Sequence, residues 1–195
     1  MSAKIFSWVG HPANTSVSHM MADAYERGAR EQGAEIRRMN ISEMAFDPNL
    51  ADGYNTIQQL ENDLEVWQDN MVWADHVAWF YPMWWGSMPA KMKGVLDRAL
   101  LPGFGFKYHE NDPFWDRLLK GRSADVFITA DTPGWFDWIT SQSPARRHVK
   151  KKVLEFVGIK PVETHYFAAV RSAKEDTLKK WKRRAHVVGA DAGRR

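Results

Sequence analysis

Residues 79–100, WFYPMWWGSMPAKMKGVLDRAL, decide the fold, because a buried strand, a turn and the start of a helix follow one another there. Residues 77–81 are apolar without polar alternation, which is typical of a strand buried on both faces of a parallel sheet. Pro82 ends this strand, and Pro89 stands where the first helical residue is expected. The turn between them leaves the carboxyl edge of the sheet, where open α/β proteins bind ligands. The pattern predicts either a ligand site at this turn or an ordinary loop whose tryptophans belong to the core.

The composition is that of a globular chain with two unusual features. A length of 195 residues, with 44% hydrophobic and 26% charged residues, is enough for one domain with a proper core. Ten tryptophans are many for this length, and cysteine is absent, which excludes disulfides, thiolate catalysis and cysteine metal sites. The chain has neither a signal-peptide pattern nor an apolar run of about 18 residues, so we expect a cytoplasmic protein without membrane insertion.

The net charge of +3 comes from basic residues concentrated late in the chain, at residues 146–152 and 179–184. These clusters are either the solvated faces of two helices or a means of attracting an anionic ligand such as a phosphorylated cofactor. No recognised nucleic-acid module accompanies them, so nucleic acid is not an expected partner. The seven histidines are scattered and neither H-E-x-x-H nor G-x-S-x-G occurs, so no metal site is expected.

Segments typical of strands and helices alternate five times. The predicted strands are residues 3–9, 34–40, 75–81, 123–130 and 164–170, and the predicted helices are residues 16–32, 56–72, 89–100, 145–157 and 174–188. This alternation predicts an α/β fold with a doubly wound parallel sheet, and five strands fit the flavodoxin-like order 2-1-3-4-5. Residues 101–120 look irregular. We expect a single domain over residues 1–188 and a frayed tail over residues 189–195.

Three loops follow the first, third and fourth predicted strands, at residues 10–18, 82–88 and 130–136. The carboxyl ends of parallel strands share one edge of a sheet, so these loops are expected to converge. The first loop ends at a helix N-terminus rich in serine and threonine, where hydroxyls, free N–H groups and the helix dipole favour a phosphate. Ser16 acting only as a helix cap is the alternative. Neither G-x-G-x-x-G nor a Walker loop is present.

Two of these loops resemble those of the NAD(P)H:quinone oxidoreductases with a flavodoxin-like fold. Residues 11–18, HPANTSVS, are similar to the family's phosphate loop, and residues 82–90, PMWWGSMPA, are similar to its flavin-ring loop. The resemblance extends over about residues 3–170, and its later part is similar to a bacterial subgroup of NAD(P)H-dependent oxidoreductases. It implies bound FMN or FAD, NAD(P)H as electron donor, a small quinone-like acceptor, ping-pong hydride transfer and a homodimer.

The resemblance also implies which residues contact the flavin. The phosphate group would be held by His11, Ser16, Val17 and Ser18; the ring edge would be lined by Pro82, Met83, Trp84, Trp85 and Gly86; Thr129, Ala130, Asp131 and Gly134 would lie on the side of N1 and O2. The catalytic set expected from it is the Trp85–Gly86 backbone together with Trp135 as an aromatic wall.

The chain departs from the family at the third loop. A Gly-Gly pair followed by a tyrosine and a histidine is replaced by residues 131–134, DTPG, with Phe136 near the tyrosine position and Gln142 near the histidine position. No aligned acid–base side chain remains, so backbone amides are expected to act instead, together with aromatic walls from Trp84, Trp135 and Phe106. Alternatives on the same scaffold are an FMN, azo or nitro reductase, or a non-catalytic flavin-binding subunit of an ion-efflux system that docks through residues 146–152.

Overall fold

The computed structural model describes residues 2–141 and 143–195. Its strands are β1 (Lys4–Val9), β2 (Glu35–Asn40), β3 (His76–Pro82), β4 (Phe106–Tyr108), β5 (Trp115–Arg117), β6 (Ser123–Thr129) and β7 (Val162–Phe167). Its helices are α1 (Val17–Arg30), α2 (Asn62–Trp73), α3 (Ala90–Ala99), α4 (Gly134–Ser141), α5 (Pro144–Arg147), α6 (Glu155–Val157) and α7 (Glu175–Gly193), with a π-helical segment at His148–Leu154 and a 3-10 turn at Val170–Ser172.

Five parallel strands form one sheet in the order β2-β1-β3-β6-β7. Because β6 and β7 are the fourth and fifth strands of this sheet along the chain, the predicted order 2-1-3-4-5 and the doubly wound parallel fold are confirmed. The order reverses between β1 and β3, and this switch point places the carboxyl ends of those two strands beside each other. The loop that follows β1 and the turn that follows β3 therefore lie side by side.

Apolar residues cover both faces of the sheet. On one face Trp8 packs edge-on against Trp67 and Trp79, at ring-centroid distances of 5.3 and 5.1 Å. On the other face Tyr25 of α1 packs against Phe80, at 5.5 Å. Burial of both faces accounts for the uninterrupted apolar runs in the strands. None of the helices in the described part of the chain is long and apolar enough to cross a membrane.

Helix α2 begins at Asn62 rather than at the predicted residue 56. The buried guanidinium of Arg98 accounts for the difference, because it donates to Gln59 O at 2.7 Å and to the Glu61 carboxylate at 2.8 Å. These bonds hold residues 59–61 against α3, and Glu61 keeps an extended backbone. Residues 101–120 also contain regular structure, the antiparallel pair β4–β5. Helix α4 begins within the third predicted loop, residues 130–136, and extends beyond it.

The predicted fraying of residues 189–195 is wrong, because α7 continues to Gly193 and packs closely on α1. An added Cβ at Gly189 would lie 2.0 Å from Tyr25 O, and one at Gly28 would lie 2.1 Å from His186 O. The absence of side chains at these positions lets the two helix backbones approach each other. The end of the chain is therefore part of the helical layer on that face of the sheet.

A polar cluster is buried in the amino-terminal half of the sheet. The Asp125 carboxylate accepts hydrogen bonds from His76 Nε2 at 3.1 Å, Tyr25 Oη at 3.2 Å and His165 Nε2 at 3.3 Å. Burial opposes ionisation of Asp125, but the bonds from His165 and His76 outweigh it and hold the pKa of this carboxyl well below its usual range. The cluster lies away from the carboxyl edge and joins β3, β6, β7 and α1 through one acceptor.

Candidate functional site

The three predicted loops meet at the carboxyl edge of the sheet and line a cavity of about 260 Å³. Its lining residues are His11, Ser16, Val17, Ser18, Pro82, Met83, Trp84, Thr129, Ala130, Asp131 and Val170. Ten of the thirteen residues predicted to bind the cofactor are in this set. Trp85, Gly86 and Gly134 are not, although they lie in the same loops.

Val170 is the lining residue that the sequence analysis missed. β7 ends at Phe167, and Ala169 adopts a left-handed backbone that turns the chain towards β6, where the Val170 N–H donates to Ala130 O at 3.2 Å. The available signal was the position of the last predicted strand, since its carboxyl end must reach the same edge as the other three. A fourth loop thus contributes to the site.

The N-terminus of α1 forms one end of the cavity. Ser16 is the N-cap, and its hydroxyl accepts from the His19 N–H at 3.3 Å. The N–H groups of Val17 and Ser18 have no acceptor within the described residues, and Ser18 Oγ, in a side chain only 1% exposed, has no partner there either. A capped helix start with free amides and an unsatisfied hydroxyl is suited to an anion. Capping by Ser16 therefore does not exclude a phosphate site, because other groups remain free to bind the phosphate.

His11 lies beside this helix start as a neutral hydrogen-bond donor. Its Nδ1 accepts from the Ala13 N–H at 3.1 Å, which leaves the proton on Nε2. Partial burial lowers the pKa of His11, so the ring is uncharged at neutral pH. The ring packs edge-on against Trp84, with the centroids 5.9 Å apart.

The turn after β3 is a tight hairpin turn of type I′. The Trp84 N–H donates to Ser87 O at 2.8 Å and the Ser87 N–H to Trp84 O at 3.0 Å, while Trp85 and Gly86 both have positive φ, at 51° and 74°. The Trp85 side chain is fully exposed. The N–H groups of Trp85 and Gly86 have no acceptor in the part of the chain that the structure describes. The turn therefore presents two backbone donors, whereas the indole that lines the cavity is that of Trp84.

The turn after β6 is held by the end of β7 and the residues that follow it. The Tyr166 hydroxyl donates to Thr132 O at 2.9 Å, and the Arg146 guanidinium lies 4.9 Å from the centroid of the Tyr166 ring. Burial raises the pKa of Tyr166 to about 12, so this hydroxyl keeps its proton. Asp131 Oδ1 accepts from the Arg171 N–H at 2.7 Å. Hydrogen bonds thus fix the turn at Asp131 and at Thr132.

Trp135 does not line the cavity. It is the second residue of α4, is about two thirds exposed, and packs edge-on against Phe136, with the ring centroids 5.7 Å apart. Gly134 lies against the Tyr166 ring, where an added Cβ would be 3.4 Å from Cδ1. Gln142, the other position in the predicted departure from the family, lies outside the described residues. Of the predicted aromatic walls, Trp84 therefore lines this cavity in the single chain, whereas Trp135 and Phe106 do not.

The basic clusters form local contacts. In residues 146–152, Lys150 donates to Val162 O at 2.7 Å and Lys151 pairs with Glu155 at 2.9 Å. In residues 179–184, Lys179 pairs with Glu175 at 2.8 Å.

Within the described residues, no group of three histidine, aspartate or glutamate side chains is arranged to hold a metal ion.

Comparisons with known proteins agree with this geometry. The family model described as "Flavodoxin-like fold" matches residues 3–188. A protein of Haemophilus influenzae that is named an uncharacterized NAD(P)H oxidoreductase is 31% identical over 125 residues. These residues are 61% of this chain and 60% of that protein, so the match spans less than two thirds of the relative's length.

Two solved structures show the same fold over nearly the whole chain. The NAD(P)H:quinone oxidoreductase of Methanothermobacter marburgensis has a TM-score of 0.83 at 22% identity, with coverage of 98% of this chain and 99% of the other. An FMN-dependent NADH-azoreductase of Bacillus anthracis has a TM-score of 0.75 at 17% identity, with the same coverage of both chains. The five-stranded order, the cavity at its switch point and the family match lead to one conclusion: the chain belongs to the family with a flavodoxin-like fold.

Proposed function

We propose that the chain is a flavin-dependent NAD(P)H oxidoreductase that reduces quinones or similar small acceptors by ping-pong hydride transfer, with FMN or FAD as its cofactor. The observation that carries the proposal is a single cavity with an anion-binding helix start at one end and free backbone amides at the rim. The names of the relative from Haemophilus influenzae and of the two similar structures support it.

The residues present fit a flavin. Free N–H groups of Val17 and Ser18, the unsatisfied Ser18 hydroxyl and the Nε2–H of His11 would hold its phosphate. The N–H groups of Trp85 and Gly86 would donate to the edge of the ring, and residues 129–131 would lie along its other side.

When bound, the flavin would supply the redox chemistry, by taking a hydride equivalent from NAD(P)H and passing it to the acceptor. The protein's part is then to bind, orient and polarise the ring. Among the described residues, the only imidazole that lines the cavity is that of His11, which lies beside the start of α1 and is neutral. We therefore assign no general acid or base to a side chain, and propose that the catalytic donors are the backbone amides of Trp85 and Gly86.

A homodimer with the site near its interface is part of the proposal. The exposed aromatic and aliphatic side chains Trp85, Trp135, Trp138 and Ile139 all follow β3 or β6 at the carboxyl edge. Exposed apolar groups concentrated in this way are typical of contact surfaces. A second subunit there would bring further aromatic groups to the rim of the cavity.

The proposal is tested by purifying the protein, identifying any bound cofactor and measuring the oxidation of NADH and NADPH. We expect a yellow protein that releases FMN or FAD on heating, which mass spectrometry will identify, and NADH or NADPH oxidation that depends on an added quinone. A panel of quinone, azo and nitro acceptors then ranks the substrates. A colourless protein that neither binds added FMN or FAD nor oxidises NAD(P)H would disprove the proposal, and flavin binding with negligible turnover would favour the regulatory alternative.

Trp85→Gly separates the role of the turn backbone from that of the indole. Glycine fits the positive φ of this position, so we expect stability to rise by about 0.5–1 kcal/mol and flavin affinity to stay within about threefold. Gly86→Val, at the neighbouring position of positive φ, is the contrasting variant and should weaken binding about tenfold by displacing the turn. Fluorescence titration with FMN and FAD measures both. Loss of binding in Trp85→Gly would assign the role to the side chain.

A further inference from the structure

We infer that the carboxylate of Asp131 is a fixed negative charge beside the ring of the bound flavin, and that it lowers the reduction potential of that flavin. The inference rests on the proposed function and deepens it. It concerns a residue that stands where the resembled family has a glycine pair.

Among the described side chains that line the cavity, Asp131 carries the only carboxylate. The other lining side chains are apolar, carry hydroxyl groups, or belong to His11, which is uncharged at neutral pH. No lysine or arginine lines the cavity, and no salt bridge of Asp131 occurs within the described residues. The cavity therefore has a net charge of about −1 that no cation on its walls compensates.

The position of this charge is fixed by the backbone around it. Asp131 Oδ1 accepts from the Arg171 N–H at 2.7 Å, and the neighbouring Val170 N–H donates to Ala130 O at 3.2 Å. On the other side, the Tyr166 hydroxyl holds Thr132 O at 2.9 Å. A carboxylate on a turn fixed by three hydrogen bonds cannot move away freely when the charge of a ligand changes.

A fixed negative charge acts differently on the two redox states of a flavin. Two electrons and one proton convert the neutral oxidised ring into a reduced ring with one negative charge, so reduction places a second like charge in the cavity. Asp131 is exposed, so water screens part of this repulsion, but like charges only a few ångströms apart still repel. Asp131 would thus favour the oxidised state, and make the reduced state a stronger donor of electrons to the acceptor.

The test is Asp131→Asn, which removes the charge while keeping a side-chain oxygen that can accept from the Arg171 N–H. The reduction potential and the dissociation constant of the oxidised form are measured for FMN and for FAD in the wild type and the variant. We expect the ratio of reduced to oxidised flavin at a given potential to rise about tenfold, a positive shift of about 30 mV for a two-electron couple. Glu163→Gln, a neutralisation of an exposed carboxylate near the start of β7, is the matched control and should leave the potential unchanged.

Two results would overturn the inference. Equal potentials in the wild type and Asp131→Asn, with flavin bound to both, would show that the charge does not act on the ring. Weaker binding of both redox forms by the same factor would show that Asp131 only supports the turn, since such a loss leaves the potential unchanged. Failure of the wild type to bind FMN or FAD would instead disprove the proposed function, and the inference with it.

Discussion

Ser16→Asp is expected to eliminate flavin binding while the fold remains intact. Aspartate is as good an N-cap as serine, and its charge is favourable at a helix N-terminus, so the free energy of unfolding of the flavin-free protein should change by less than about 1 kcal/mol. The same charge would face the phosphate that the Val17 and Ser18 amides are proposed to hold. A like charge at hydrogen-bonding distance should weaken binding about 100-fold or more.

The matched control for this variant is Ser16→Asn, which caps the helix without adding charge. Its flavin affinity should remain within about tenfold of the wild type, because the free amides of α1 are retained. Flavin content of the purified protein and fluorescence titration give the affinities, and thermal unfolding of the flavin-free forms gives the stability. Unchanged flavin content in Ser16→Asp would place the phosphate elsewhere and refute the assignment of this loop.

Asp125→Ala is expected to destabilise the protein by about 3–5 kcal/mol, because it leaves several buried donors without their acceptor. Tyr25 Oη, His76 Nε2 and His165 Nε2 all donate to this carboxylate. Urea unfolding of both proteins measures the difference. Glu163→Ala is the control, since it removes an exposed carboxyl from the position paired with Asp125 in the neighbouring strand, and should change stability by less than about 0.5 kcal/mol.

The pH dependence of stability gives a second measurement of the same cluster. The pKa of Asp125 is lower in the folded protein than in the unfolded chain, so its contribution is fully present above the unfolded-state pKa of about 4 and decreases as the pH falls below it. The free energy of unfolding of the wild type should therefore fall more steeply below about pH 4 than that of Asp125→Ala. Parallel curves for the two proteins would contradict the ionised, hydrogen-bonded carboxylate.

The sequence was sufficient to predict the sheet because buried parallel strands are visible locally. Residues 77–81 and 123–130 are apolar without alternation, and the helices between strands have their own spacing. Residues 56–61 continue the apolar stripe of α2, but Ile57 is 91% exposed. The guanidinium of Arg98, from α3, instead holds this segment outside the helix by bonding to Gln59 O and to the Glu61 carboxylate. Such a long-range contact leaves no local pattern.

The site was predictable to the level of its loops but not of their conformations. The predicted carboxyl ends of the strands show which loops lie at one edge of the sheet, and most of the residues that line the cavity belong to those loops. Whether Trp84 or Trp85 faces the cavity depends on a type I′ turn, and that geometry is fixed by hydrogen bonds between Trp84 and Ser87. The frayed tail predicted from residue 189 fails for a similar reason, because the sequence does not show that Gly189 permits close packing on α1.

The contact between α1 and α7 also determines when during synthesis the site can be completed. Helix α1, whose first residues line one end of the cavity, is synthesised well before its packing partners Gly189 and Gly193 of α7. A chain still emerging from the ribosome lacks this half of the helical layer, and non-local contacts of this kind form late in folding. The end of the cavity formed by α1 therefore gains the support of α7 only after translation has passed Gly193.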